Sequence, residues 1–135
     1  MVCYKRAVFY YETDQMGVVH HSNYIRWLEE ARSDFLRVIG LPYEVMEAAG
    51  VLSPVLALDV RYLHAARFGQ TVRVYPRMRD YTGVRFSFAY QIYNENNLLL
   101  LEGTTKHAFV SSAFKPLSLR KVSPEMDALL RQYIE

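Results

Sequence analysis

Residues 22–40 read SNYIRWLEEARSDFLRVIG. Tyr24, Leu28, Ala31, Phe35 and Ile39 recur at steps of three or four, and Arg26, Glu29, Glu30, Arg32 and Arg37 fill the positions between them. That period predicts a helix of about 18 residues with one apolar face and a charged remainder. Ser22 suits the N-cap, and Gly40 followed by Pro42 supplies the stop. Tyr43 to Ala49 predicts a further short helical turn, closed by Gly50.

On either side of this helix the period falls to two. Tyr4 to Tyr11 is β-branched and aromatic, and reads as a first strand. Downstream, Val60, Tyr62 and His64 alternate with Arg61 and Leu63. Val72, Val74, Pro76 and Met78 alternate with Arg73, Tyr75, Arg77 and Arg79, and Val84 to Tyr93 alternates in the same way. A last strand runs from Leu98 to Val110. Arg67-Phe68-Gly69, Thr82-Gly83 and Asn94 to Asn97 are the turns between them. Strands this closely spaced predict an antiparallel meander. Ser123-Pro124-Glu125 opens a small C-terminal helix that ends near Tyr133. The order predicts an α+β fold in which one amphipathic helix and one antiparallel sheet bury each other's apolar faces. The sheet's other face still carries aromatics and arginines, so a homo-oligomer is expected.

At 135 residues the chain is of ordinary size for one domain, expected to span 1–135, and needs no disulfide or metal for stability. Sixteen basic residues against fourteen acidic ones leave a net charge of +2, too even to point to nucleic acid. Cys3 is the single cysteine, which favours a reducing compartment. No apolar run approaches the length of a bilayer span, and no signal peptide is recognisable. A cytoplasmic, soluble domain is expected.

Several chemistries lack their residues. There is no Gly-x-Ser-x-Gly elbow, Cys3 falls near the terminus, and the six glycines are scattered rather than set in a phosphate-binding loop. Asp14, His20 and His21 with His64 or His107 are the only candidate metal set, and their spacing matches no standard ligand pattern, so no metal is expected. What remains is the loop ETDQMGVVHHSNY, Glu12 to Tyr24. The first turn of a helix offers unpaired N–H groups and a partial positive charge, which suit a carbonyl oxygen that becomes negative on attack. Asp14 lies one loop's length upstream and is able to act as general base or nucleophile, while Gly17 permits a positive φ. Spacing alone leaves a second reading open, in which Asp14 only caps a turn.

Residues 10–40, YYETDQMGVVHHSNYIRWLEEARSDFLRVIG, together with VRYLHAARFGQTVRV at 60–74, resemble the hotdog-fold acyl-CoA thioesterases of the 4-hydroxybenzoyl-CoA thioesterase-like group. The resemblance implies a hotdog fold, an antiparallel sheet wrapped around one long central helix. It implies dimers with sites at the interface, often paired again into tetramers. The implied reaction hydrolyses the thioester of a CoA-linked acyl group to a carboxylic acid and free CoA. Coenzyme A enters as part of the substrate, and no separate cofactor is called for. By position Asp14 matches the catalytic aspartate, and His21 matches the helix start whose backbone N–H polarises the carbonyl. Gly17 matches the glycine that follows this aspartate, Asn23 and Tyr24 match the positions that complete the loop-to-helix turn, and Tyr10 matches an aromatic that lines the acyl site in some members. His20 stands where an aromatic is frequent, which marks it as a determinant of acyl specificity. Arg73, Arg77, Arg79 and Arg85 are candidates for the CoA phosphates, with no single one assigned. A dehydratase of the same fold needs an aspartate-histidine pairing absent here. A non-catalytic acyl-CoA binder is the alternative from another class.

Overall fold

In the computed structural model, which describes residues 1–135, the helix expected from the opening stretch is α1 (His21–Val38), 18 residues long. Tyr24, Trp27, Leu28, Ala31, Phe35 and Leu36 form its buried face. It lies across a five-stranded sheet built from β1 (Tyr4–Ala7), β2 (Val55–Tyr62), β3 (Thr71–Arg79), β4 (Arg85–Tyr93) and β5 (Leu99–Ala108). Their order is β1-β3-β4-β5-β2, with every pairing antiparallel. Short helices α2 (Tyr43–Ala48), α3 (Leu119–Val122) and α4 (Pro124–Arg131) close the ends, and Ser123 caps α4 through Met126 N–H. The architecture is the sheet wrapped around one long helix that the resemblance implies.

Three boundaries differ from expectation, each for a physical reason. The first strand stops at Ala7 rather than Tyr11, because the Glu12 carboxylate accepts Phe9 N–H at 2.8 Å and curls Tyr10–Glu12 into a 3-10 turn. The helix is capped by His20 rather than Ser22: the imidazole Nδ1 accepts Ser22 N–H at 3.3 Å, so the helix begins two residues earlier than a hydroxyl cap on Ser22 would allow. β2 begins at Val55, five residues before its expected start, because its first half carries apolar residues on both faces and shows no alternation.

That lack of alternation comes from where β2 lies. It is an edge strand. Val60 faces the helix side and packs on the core, but Leu58 and Tyr62 on the same face are 41 and 46% exposed. α1 packs chiefly over β1 and β3 and reaches β2 only at its Tyr62 end, where the Tyr24 and Tyr62 ring centres lie 5.5 Å apart. β2 also sits tight against β5: a Cβ on Gly103 would meet Val60 Cγ1 at 2.6 Å and the Asp59 carbonyl at 2.9 Å. β3 follows the expected alternation, with Val72, Val74, Pro76 and Met78 buried and Arg73, Tyr75, Arg77 and Arg79 turned to the outer face. Pro76 is tolerated because β1 pairs with β3 only as far as Val74.

The core also holds a polar chain. Arg32, grouped by period with the charged residues of α1, is 6% exposed. Its Nε donates to Tyr43 Oη at 2.9 Å and its Nη1 to Tyr90 Oη at 3.1 Å. Tyr90 Oη pairs with Thr105 Oγ1 at 2.8 Å, and Thr105 Oγ1 with His107 Nε2 at 2.7 Å. His107, 1% exposed, stacks on Phe86 with ring centres 4.8 Å apart, and its Nδ1 closes no hydrogen bond. Burial, with the positive charge of Arg32 adding to it, pushes this imidazole down to about 4.

A testable consequence follows from the sign of that shift. Between pH 6.5 and about 4 the unfolded chain takes up a proton at His107 that the folded protein refuses. The stability it confers is therefore complete above pH 6.5 and is lost as pH falls, by about 3 kcal/mol over the window. Urea unfolding across this range should show that slope in the wild type and a flatter one in His107→Gln.

Candidate active site

The loop before α1 is organised around the buried carboxylate of Glu12, 4% exposed. Arg6 Nη1 donates to both its oxygens at 2.7 Å, Trp27 Nε1 donates to Oε2 at 2.9 Å, and Phe9 N–H donates to Oε1. Burial alone would raise the carboxyl. The Phe9, Trp27 and Arg6 donors outweigh it, and the group is held below the ordinary carboxylate range. The Glu12 backbone carbonyl accepts from His20 N–H and from Asn23 Nδ2, both at 2.9 Å. One residue thus binds β1, the 3-10 turn, the return of the loop and the first turn of α1.

From this anchor the chain makes a tight excursion. Asp14 C=O accepts Gly17 N–H at 3.0 Å, Val18 C=O accepts Asp14 N–H at 2.9 Å, and Thr13 pairs with Val19. Gly17 closes the turn at φ +77°, in the left-handed region, with open space around it. The exposed Asp14 carboxylate accepts Met16 N–H at 2.8 Å through Oδ1, with Val18 N–H at 3.4 Å, and Oδ2 takes no protein donor. The segment leading to β3 braces the loop from outside: Ala66 C=O accepts Val19 N–H, and Arg67 pairs with Val18.

At the start of α1 the amides are unevenly occupied. Ser22 N–H goes to the His20 ring and Asn23 N–H to the His20 carbonyl, while the His21 amide finds no acceptor in the chain. The His20 and His21 rings lie 4.2 Å apart, both exposed. Tyr62, at the end of β2, donates its hydroxyl to the His21 carbonyl at 3.1 Å, which ties the edge strand to this helix end.

The structure therefore brings Asp14, Gly17, His20 and His21 together on one loop and its helix start. Asp14 and His21 stand at opposite ends of the Val18–His20 return, with no hydrogen bond between them. Tyr10 is 75% exposed beside the loop and packs edge-on against Phe68 at 5.4 Å. Asn23 and Tyr24 take a bracing part instead of facing outward. Asn23 reaches back to Glu12, and Tyr24 is 3% exposed with its hydroxyl accepting Ala66 N–H at 2.8 Å. His20 caps the helix. His64 pairs with the Leu99 carbonyl and His107 lies in the core, so neither joins the loop, and no three ligating side chains converge on a metal position. Arg77 and Arg79 border an outer-face groove with Asp59, Arg61 and Glu102, whereas Arg73 is tied to Tyr75 and Asn97.

Sequence reasoning missed Glu12, Arg6 and Trp27 as the frame of this site. A signal existed: a tryptophan on the apolar face of a helix needs an acceptor for its N–H. Which acidic residue would supply it depended on how the chain folds back.

The chain matches the Thioesterase-like superfamily over residues 8–130. YneP of Bacillus subtilis (strain 168), provisionally named an acyl-CoA thioesterase, is 39% identical over 119 residues, covering 87% of this chain and 86% of its own. The acyl-CoA thioester hydrolase YbgC of Escherichia coli O157:H7 is 30% identical over 95 residues, covering 70% and 71%. Among solved structures, a DHNA-CoA thioesterase from Staphylococcus aureus superposes with a TM-score of 0.91 at 32% identity, over 96% of this chain and 88% of that one.

Replacing Glu12 by Gln should leave Arg6, itself 7% exposed, with only the part-exposed Glu30 carboxylate at 3.1 Å as counter-charge, and cost about 3 kcal/mol. Denaturant unfolding measures this, and a loss below about 1 kcal/mol would remove Glu12 as the anchor.

Proposed function

The chain belongs to the thioesterase-like superfamily, and on that premise we propose that it hydrolyses acyl-CoA thioesters to a carboxylic acid and free coenzyme A. The observation that carries the reading is the unoccupied His21 amide at the positive end of an 18-residue helix, on the same short loop as an exposed carboxylate. The thioester carbonyl oxygen accepts the His21 N–H. As the carbonyl carbon is attacked, its oxygen gains negative charge that this N–H and the helix terminus stabilise.

Asp14 supplies the electron pair in one of two ways. As general base it takes a proton from water while the water oxygen bonds to the carbonyl carbon. As nucleophile it bonds to that carbon itself, and water then cleaves the anhydride. In both, the C–S bond breaks, coenzyme A leaves as a thiolate and the acyl group leaves as a carboxylate. The Met16 N–H on Oδ1 orients the carboxylate and leaves Oδ2 for this work. His20 keeps the helix start in shape by capping it, and Tyr10 with Phe68 offers an exposed aromatic wall. The reaction requires no separate cofactor, and the unpaired Cys3 suits a cytoplasmic setting.

The working unit is a homodimer joined through β2. An edge strand with free backbone groups and an uncovered apolar face is poorly suited to water, and antiparallel pairing with the same strand of a second copy satisfies both. Such pairing sets the Val55 end of one β2 against the Tyr62 end of the other. Each helix start then stands beside its partner's Val55.

Two measurements test this. Asp14→Asn should lower kcat on a panel of acyl-CoAs by about 10² to 10⁴ with an unchanged circular dichroism spectrum, since Asp14 is exposed. Near-wild-type turnover would rule out the mechanism. Leu58→Asp, which adds a charge at a position 41% exposed in the single chain, should sediment as a folded monomer and lose most activity. A fully active monomer would rule out the shared site.

A further inference from the structure

Arg32 is the least expected charge in the molecule. Its side chain is buried, yet no carboxylate lies within 4 Å of it: the five ion pairs of the chain all involve other residues. Nε and Nη1 reach only the neutral hydroxyls of Tyr43 and Tyr90, and Nη2 donates to nothing in the protein. A buried guanidinium normally has an anionic or strongly accepting partner, because losing water without one is expensive. Burial presses against its charge, but the facing Tyr90 and Tyr43 oxygens outweigh this and the group stays protonated.

The guanidinium faces a cavity of about 350 Å³ lined by Tyr43 and Glu47 of α2, by Ser53, Pro54 and Val55 leading into β2, and by Phe114. Volume at roughly 30 Å³ per water-sized group leaves room for about a dozen non-hydrogen atoms. The two carboxylates at its border, Glu29 and Glu47, are exposed, while Arg32 lies at depth. The cavity opens on the helix side of the sheet beside Val55, where the proposed dimer sets the partner's helix start.

We propose that this cavity receives the far end of the acyl group, and that Arg32 there donates a hydrogen bond to an oxygen acceptor at the acyl terminus. The thioester carbonyl sits at one protomer's His21 amide, the acyl group passes the Val55 edge, and its end meets the partner's Arg32. The substrate class is acyl-CoAs whose chain ends in a hydroxyl or carboxylate oxygen. A hydrocarbon terminus would strip the guanidinium of water and return nothing. Tyr43 and Tyr90 fix the fork so that Nη2 points to the ligand, and the Thr105–His107 extension holds Tyr90 in place. This rests on the acyl-CoA reading and the dimer above. It adds the part of the substrate that the protein selects.

The test uses binding, so that it does not depend on turnover. Three non-hydrolysable CoA thioethers of equal length, ending in a hydroxyl, a carboxylate or a methyl group, are titrated calorimetrically into the intact wild-type protein and into Arg32→Met. At least one oxygen-ended thioether should bind the wild type about tenfold or more tightly than the methyl-ended one. In Arg32→Met that preference should vanish while the methyl-ended thioether still binds. Which oxygen-ended thioether gains more reports whether Glu29 and Glu47 disfavour an anion, and either gain supports the proposal. Equal affinity for all three in the wild type overturns it and leaves the thioesterase reading standing, as does a preference that survives in Arg32→Met. Failure of all three to bind overturns both. If Arg32→Met does not fold, the wild-type series decides alone.

Discussion

The contact on which the site depends is the buried carboxylate of Glu12 with its three donors. Arg6 comes from β1, Phe9 N–H from the 3-10 turn and Trp27 from α1. A carboxylate out of water is stable only when its oxygens are well supplied with donors, so these three elements have one mutual arrangement. The same residue's carbonyl holds His20 and Asn23, which sets the distance between the loop's return and the helix start. Asp14 can then be exposed and backbone-bound on a short turn while the helix N-terminus stays fixed beside it. The buried charge that organises the loop is distinct from the exposed charge of Asp14, which enters no ion pair.

A second constraint comes from geometry. One helix cannot cover five strands. α1 covers the β1–β3 side, meets β2 only at Tyr62 and leaves the apolar Leu58 open. The Tyr62 hydroxyl on the His21 carbonyl ties the edge strand to the start of α1. In the proposed dimer, association through β2 and assembly of the site are a single event.

Much of this was legible in the residues. The 3.6-residue period from Tyr24 to Ile39, the alternation of Val72 to Arg79 and of Val84 to Tyr93, and the stop at Gly40-x-Pro42 each follow from one-dimensional patterning, and each element is found there. The loop carrying Asp14, Gly17 and His21 was legible because its turn chemistry is local. Where reading failed, the deciding partner was remote in sequence. Tyr4 to Tyr11 has strand composition throughout, but Glu12 bends it after Ala7. Arg32 has the period of a surface charge, yet Tyr43, 11 residues on, and Tyr90, 58 residues on, accept its hydrogen bonds in the core. Tyr24 and Asn23 follow His20 and His21 closely in sequence but point inward as braces.

By itself, the sequence determined the class of fold, the elements and their order, and the turn that carries Asp14 and Gly17 to the start of α1, because periodicity, caps and turns are interactions between near neighbours. Only the tertiary structure decided which polar groups are buried and with whom, which strand stands uncovered at the edge, and where a cavity meets an unpaired guanidinium. Those depend on contacts between residues many positions apart, whose energies no local pattern records.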